Sequence, residues 1–263
     1  MSTAVELHVE EYGAGEPAIV LLHGFAGSAR NFRPQARFLG SRYRVVLFDA
    51  RGHARSAAPE DDREYEPDAF VDDVRRVLDR VGARRVVLGG ISMGAAVALR
   101  YALRYGSSLS GLLLISFPPS GNQSPTSWAL ALADAIDRDG PERAGEDLVW
   151  GGSRFDAESA KWIRQGFLEH RPHALSAILR KVVATQPALA ELAPSLRELT
   201  VPTLIVAGEN DPPSVAMSLD LERHLPASRR VIIRGAGHVV NLEKPESFNS
   251  ALGDFLSEIE ERK

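Results

Sequence analysis

Arg84-Arg85-Val86-Val87-Leu88-Gly89-Gly90-Ile91-Ser92-Met93-Gly94 is the stretch that decides how the rest of the chain is read. Residues 86–88 are Val, Val and Leu, the composition of a buried strand. Residues 95–105 are rich in Ala, Leu and Arg, which favour helix. Only Gly90-Ile91-Ser92-Met93-Gly94 stands between the two, so the turn must be tight. A serine at the apex of such a turn sits in a sparsely populated backbone conformation, and the residues two positions away on either side have no room for a Cβ. Its hydroxyl is lifted above the end of the strand, over a helix N-terminus with unpaired N–H groups. Chance alone supplies about 0.15 G-x-S-x-G pentapeptides in such a chain, so the pattern needs partners elsewhere before it means chemistry.

Working outward, residues 18–22 form a continuous apolar run, a central parallel strand, ending in His23-Gly24-Phe25-Ala26-Gly27-Ser28 and a helix that opens near Ser28. Residues 5–12 start with alternating apolar positions and predict a half-exposed strand. Residues 43–48 predict another buried strand, closing on Asp49-Ala50-Arg51-Gly52-His53. Apolar residues at 70, 71, 74, 77, 78 and 81 mark a helix over 68–81. Strands follow at 111–116, 203–207 and 229–234, and a last amphipathic helix at 247–259. Strands alternating with helices at this spacing predict an α/β class fold, a mostly parallel central sheet with helices on both faces.

About 85 residues separate the strand at 111–116 from the next, where one helix would suffice. Residues 118–199 are therefore expected to be an inserted helical cap, and 1–117 with 200–263 the core. The insertion opens with a Pro/Ser/Gly/Asn stretch over 118–125. Apolar periodicity follows around 128–136, 144–150, 157–168 and 174–184. It holds all three tryptophans, Trp128, Trp150 and Trp162, which are candidate pocket residues. Arg138, Arg143, Arg154, Lys161, Arg164 and Arg171 are cap cations that could clamp a substrate carboxylate.

Composition narrows the class. At 263 residues and 44% hydrophobic content the chain can bury a sizeable core, and its net charge of −4 offers no general attraction for nucleic acid or an anionic membrane. With no cysteine there is no disulfide, thiolate catalysis or Cys-based metal site. The N-terminal residues lack the basic and apolar regions of a secretory signal, and no apolar run nears the ~20 residues of a membrane span. A cytoplasmic protein needing no cofactor and no metal is expected, its partner a small molecule.

Two loops bring the partners that Ser92 needs. The strand at 203–207 runs into Gly208-Glu209-Asn210-Asp211-Pro212-Pro213, and that at 229–234 into Gly235-Ala236-Gly237-His238. Each puts a titratable residue just past a strand's carboxyl end, where open α/β sheets bind ligands. His238 would take the proton of Ser92, and Asp211 would orient the imidazole and stabilise its cation. Asp211 beside two prolines also suits a plain turn, and Glu209 and Asp220 are rival acids less well placed. His8, His170, His173 and His224 read as surface residues, and His23 as a support for its own loop. The backbone N–H groups of Met93 and Phe25 are the expected oxyanion donors.

HGFAGS, DARGHARS, GISMGA, GENDP and GAGHVVNLEKPE together resemble, in order and spacing, the α/β-hydrolase superfamily. The C-terminal stretch is most similar to 3-oxoadipate enol-lactonases and related carboxylesterases. The resemblance implies a serine hydrolase acting on a small-molecule ester or lactone. The first half is also similar to the menaquinone-pathway SHCHC synthases, cofactor-free lyases with the same triad. Here Ala95 follows the elbow where those carry arginine, and Ile91 precedes the serine where they usually carry tyrosine. A perhydrolase or a ligand-binding receptor of this fold is a further alternative. A serine at 92 disfavours the dehalogenases and epoxide hydrolases, which resemble the fold but use aspartate. Ala54 stands where the superfamily pattern has its second glycine.

Overall fold

Five strands are buried at every residue: β2 (Ala18–Leu22), β3 (Val45–Phe48), β4 (Val86–Ile91), β5 (Gly111–Ile115) and β6 (Thr203–Gly208). Strands so apolar need helices on both faces, and the computed structural model supplies them. It describes residues 4–120, 126–151 and 157–261, apart from the side chains of 157 and 158. Among these residues, β1 (Val9–Tyr12) and β7 (Ser228–Ile233) complete a seven-stranded sheet of order β1-β3-β2-β4-β5-β6-β7. All neighbours are parallel except β1 with β3. The first strand is shorter than the alternation over 5–12 predicts. Ahead of Val9, the carbonyls of Glu6 and His8 accept from Ala57 and Asp49, so the chain there pairs with a loop instead of the ladder.

The period of two sorts the strand residues. Val20, Leu22, Leu88, Leu112 and Leu114 face a core closed by α2 (Pro67–Val81) and α3 (Met93–Tyr105). Ile19, Leu21, Val87 and Leu113 face the other way, against Leu39 of α1 (Arg33–Leu39) and Phe248, Leu252 and Phe255 of the last helix, Pro245–Glu261. Each fully buried aliphatic or aromatic side chain contributes roughly 1.5–3 kcal/mol, so the sheet is a rigid floor for the loops at its edge. The helix over 67–81 ends where Gly82 adopts φ +61° and returns its N–H to Leu78 O at 3.0 Å.

Register levels the carboxyl ends of the strands. Leu22 lies opposite Gly90, Gly90 opposite Leu114, and Leu114 opposite Ile205. The loops after β2, β4, β5 and β6 thus leave from one edge. The non-glycine residues with positive φ among the described residues all lie on loops that begin at that edge: Ala26 (+55°), Ala54 (+42°), Ser92 (+54°) and Ser116 (+43°). Backbone strain of about 1–3 kcal/mol per residue is confined there and held by the packing beneath. Ala54 takes the left-handed conformation in its own right, so the missing glycine changes the cost of the turn and not its shape.

The segment after β5 is helical: α4 (Thr126–Gly145), a π-helical turn at Glu146–Trp150, α5 (Ala157–Leu168), α6 (Pro172–Ile178), a second π turn at Leu179–Val183, and α7 (Leu189–Glu198). Within α4, Gly140 breaks the helix with φ +81° ahead of Pro141. Ala129, Leu132, Ala133, Ile136, Trp150, Phe167, Leu175 and Leu179 form an apolar cluster separate from the two beside the sheet. Leu189 and Leu196 of α7 pack instead with Leu99 and Leu112 in the main core. Of the polar opening stretch, residues 121–125 lie outside the described residues. No described helix is long and apolar enough to cross a membrane.

Candidate active site

Ser92 sits between β4 and α3 at φ +54°, ψ −117°. A Cβ on Gly90 would come within 2.4 Å of the Gly94 carbonyl, and one on Gly94 within 2.5 Å of Leu22 O. Both positions must be glycine for α3 to start so close to β2. The serine is tied to the neighbouring strand by its N–H, which donates to Ile115 O at 2.9 Å. Met93 is the first residue of α3, where a helix leaves its N–H without an internal acceptor.

His238 and Asp211 meet across two loops. His238 Nδ1 lies 2.6 Å from Asp211 Oδ2, and the acid is 7% exposed, shielded from solvent screening. Burial alone raises the pKa of Asp211. The hydrogen bond and charge of His238, with smaller help from Ser214, outweigh it and hold the carboxyl below its ordinary value. An ionised acid on Nδ1 leaves Nε2 as the nitrogen free to accept a proton. The rival acids are engaged elsewhere. Glu209 accepts from Gly235 N–H at 2.9 Å, and Asp220 lies beside His224.

The His238 loop is held by residues that the sequence pattern did not single out. Glu243, on the short helix Val240–Glu243, accepts the N–H groups of Gly237 and Val239 on either side of His238. Ser116 Oγ donates to His238 O at 2.8 Å. The position of Glu243 within GAGHVVNLEKPE was the signal available, but nothing in its spacing says that it caps that loop.

Ser92, His238, Phe25 and Met93 line one cavity of about 740 Å³, together with Trp128, Trp162, Ile91, Val149, Phe167 and Leu242. Trp150 does not line it. It packs against Phe167 at 5.4 Å between ring centroids, and its Nε1 donates to Glu146 at 2.7 Å. This corrects the expectation for Trp150, because Gly145 leaves a hollow that its ring fills inside the cap cluster. None of the described cap cations reaches the cavity. Arg138, Arg143 and Arg164 pair with Asp139, Asp147 and Glu142, while Lys161 and Arg171 are exposed. Arg154 lies outside the described residues.

The loop 23–28 is braced from below. His23 Nε2 accepts Ala50 N–H at 2.9 Å while its Nδ1 donates to Gly24 O at 2.8 Å. His53 Nε2 accepts Ala26 N–H at 3.3 Å, and Asp49 Oδ1 accepts Ala29 N–H at 2.7 Å. His170, expected at the surface, is instead 6% exposed and stacks edge-on against His53, with Nε2 3.0 Å from Gly27 O. It comes from the turn after α5, so only tertiary packing brings it there.

Burial pushes all three histidines toward the neutral form: His23 down to about 4, against the opposing pull of Gly24 O and Asp49. His53 is depressed well below its ordinary value by burial and by its two neighbours, and His170 by burial. The unfolded chain protonates these groups near pH 6.5, and the folded chain at lower pH. Their contribution is therefore complete above about pH 6.5 and lost as pH falls through the lowered values, about 4 for His23. Thermal melts should show Tm falling by about 5 °C or more from pH 7 to pH 5, less steeply in His53→Asn. A Tm that is level over that range would contradict the assignment.

Comparison with known proteins identifies the family of the fold. A family model described as the alpha/beta hydrolase fold matches residues 17–245. A putative 2-succinyl-6-hydroxy-2,4-cyclohexadiene-1-carboxylate synthase of Bacillus subtilis is 30% identical over 253 residues, covering 92% of this chain and 91% of that protein. A thermophilic esterase from Thermogutta terrifontis, solved with malate bound, superimposes with a TM-score of 0.84 at 28% identity, covering 97% of this chain and 94% of the other. The enol-lactonase of Burkholderia xenovorans LB400 has a TM-score of 0.83 at 24% identity, covering 96% and 97%, a likeness of fold.

Proposed function

The chain belongs to the α/β-hydrolase fold family and is an enzyme, and on that premise we propose a serine hydrolase that cleaves a small-molecule carboxylic ester or lactone. The observation that carries this reading is the 2.6 Å His238–Asp211 pair, whose imidazole lines the same cavity as a serine on a strained elbow. Ser92 Oγ attacks the carbonyl carbon while His238 Nε2 takes its proton. The N–H groups of Phe25 and Met93 receive the charge that develops on the carbonyl oxygen. The tetrahedral adduct collapses as the imidazolium returns the proton to the leaving alkoxide, giving the alcohol and an acyl-Ser92 ester. Water, deprotonated by His238, attacks that ester and releases the acid with Ser92 restored. Residues 118–199 act as the lid, with Trp128 and Trp162 giving the pocket aromatic walls.

A lyase like the Bacillus relative is the second reading, favoured by that protein's identity over nearly the whole chain. Such chemistry needs no acyl-enzyme. Rapid acid quench of the enzyme with p-nitrophenyl butyrate, followed by intact-mass measurement, separates the two. A butyryl adduct on Ser92 and a burst of p-nitrophenol equal to the enzyme supports the hydrolase. Absence of both, across esters and lactones, would transfer the reading to the lyase.

A further inference from the structure

We propose that Arg30 is the anion-recognising residue of the cavity, and that the preferred substrate carries a carboxylate remote from the bond that is cleaved. This rests on the hydrolase reading for its chemistry but not for its binding site. The wall is mostly apolar, and Arg30 is the one lysine or arginine among the described residues that line it. Among the described residues, no aspartate or glutamate lines it. A guanidinium at the rim of an apolar chamber, with no acid in the wall, selects an anionic end on an otherwise apolar ligand.

Arg30 is built into the site. It lies in the 3₁₀ turn Ala29–Phe32, immediately after the loop that carries Phe25. The turn is fastened where Asp49 accepts Ala29 N–H, and Arg30 Nε faces Ser28 Oγ at 3.3 Å. Its Nη2 pairs with Glu169, from the turn after α5, and Gln165 Nε2 donates to the same carboxylate at 3.2 Å. Glu169 thus holds the guanidinium from outside the cavity wall, and a substrate carboxylate reaching Arg30 would compete with it. The pair is open to water, with side chains 41% and 30% exposed, so it is weak and readily exchanged. A bidentate guanidinium–carboxylate contact with the ligand can replace it without leaving either charge buried, since Glu169 is close enough to solvent to be released.

The alternative is that the Arg30–Glu169 pair only fastens the cap to the loop. Kinetics on two esters of similar length, mono-p-nitrophenyl glutarate and p-nitrophenyl pentanoate, decides between them. Arg30→Gln should lower the acidic-to-neutral ratio of kcat/KM about 10- to 30-fold, mainly through KM. Glu169→Gln should raise that ratio severalfold, because it removes the internal competitor. Equal losses on both esters in both variants would mean a fastening and overturn the proposal. Calorimetric titration of glutarate into Ser92→Ala keeps the test independent of turnover. Binding that weakens about tenfold or more in Ser92→Ala/Arg30→Gln supports the anion site even if no ester is hydrolysed. Binding that is absent, or unchanged by the second substitution, overturns it.

Discussion

Ser92→Ala is expected to lower kcat/KM on any accepted ester by about 10³-fold or more while leaving the fold intact. Alanine takes the place of serine at φ +54° with no new atom and no new strain, so stability should hardly change. The loss is confined to chemistry because no other hydroxyl stands at the end of β4. His238→Ala should cost about as much, since an unactivated serine hydroxyl is a poor nucleophile. The two act as one unit, so the double variant should be scarcely worse than either single. Near-ultraviolet circular dichroism and Tm would confirm the fold in each case. Activity of Ser92→Ala within about tenfold of wild type would remove Ser92 from the mechanism.

What could be read from the sequence was what short-range rules govern. The elbow follows from five consecutive residues, and each strand from its own apolar run. Asp211 and His238 were found because both are tied by sequence to the end of a strand. What could not be read depends on packing between distant segments. Trp150 and Trp162 both lie in apolar periodic stretches of the insertion, yet one fills a hollow over Gly145 and the other reaches the cavity. His170 looked like a surface residue because its neighbours Glu169 and Arg171 are charged and exposed. Its burial comes from His53 and the Gly27 carbonyl, more than a hundred positions away. The cap cations failed as a guide for the same reason: charge in a helix says nothing about which face is turned inward, and nearby acids on the outer face claimed three of them.

Those long-range contacts lead to a second large effect, at a position remote from the reacting atoms. Arg51 is wholly buried, with Nε 2.6 Å and Nη2 2.8 Å from the two oxygens of Asp73 on α2, and Nη1 donating to Glu64 O at 2.6 Å. Asp73→Ala leaves this guanidinium inside the protein with only the longer, 3.5 Å contact to the partly exposed Glu64 carboxylate. Breaking a buried pair from one side costs about 3–5 kcal/mol, far more than the net worth of the pair. For a chain of this size that is a Tm lower by roughly 10 °C. The charge is what matters, so Arg51→Met/Asp73→Leu should recover a good part of the loss, since both partners leave together. Differential scanning calorimetry of the single and double variants measures this directly. The consequence for activity runs through the backbone: Arg51 O accepts from His53 Nδ1 at 3.0 Å, and His53 in turn holds Ala26 N–H in the loop that carries Phe25. Asp73→Ala should therefore lose activity at temperatures below its melting transition, as the Phe25 loop loosens before the sheet does. A variant with unaltered Tm would show that the pair is solvated or replaceable, and would break this chain from α2 to the cavity at its first link.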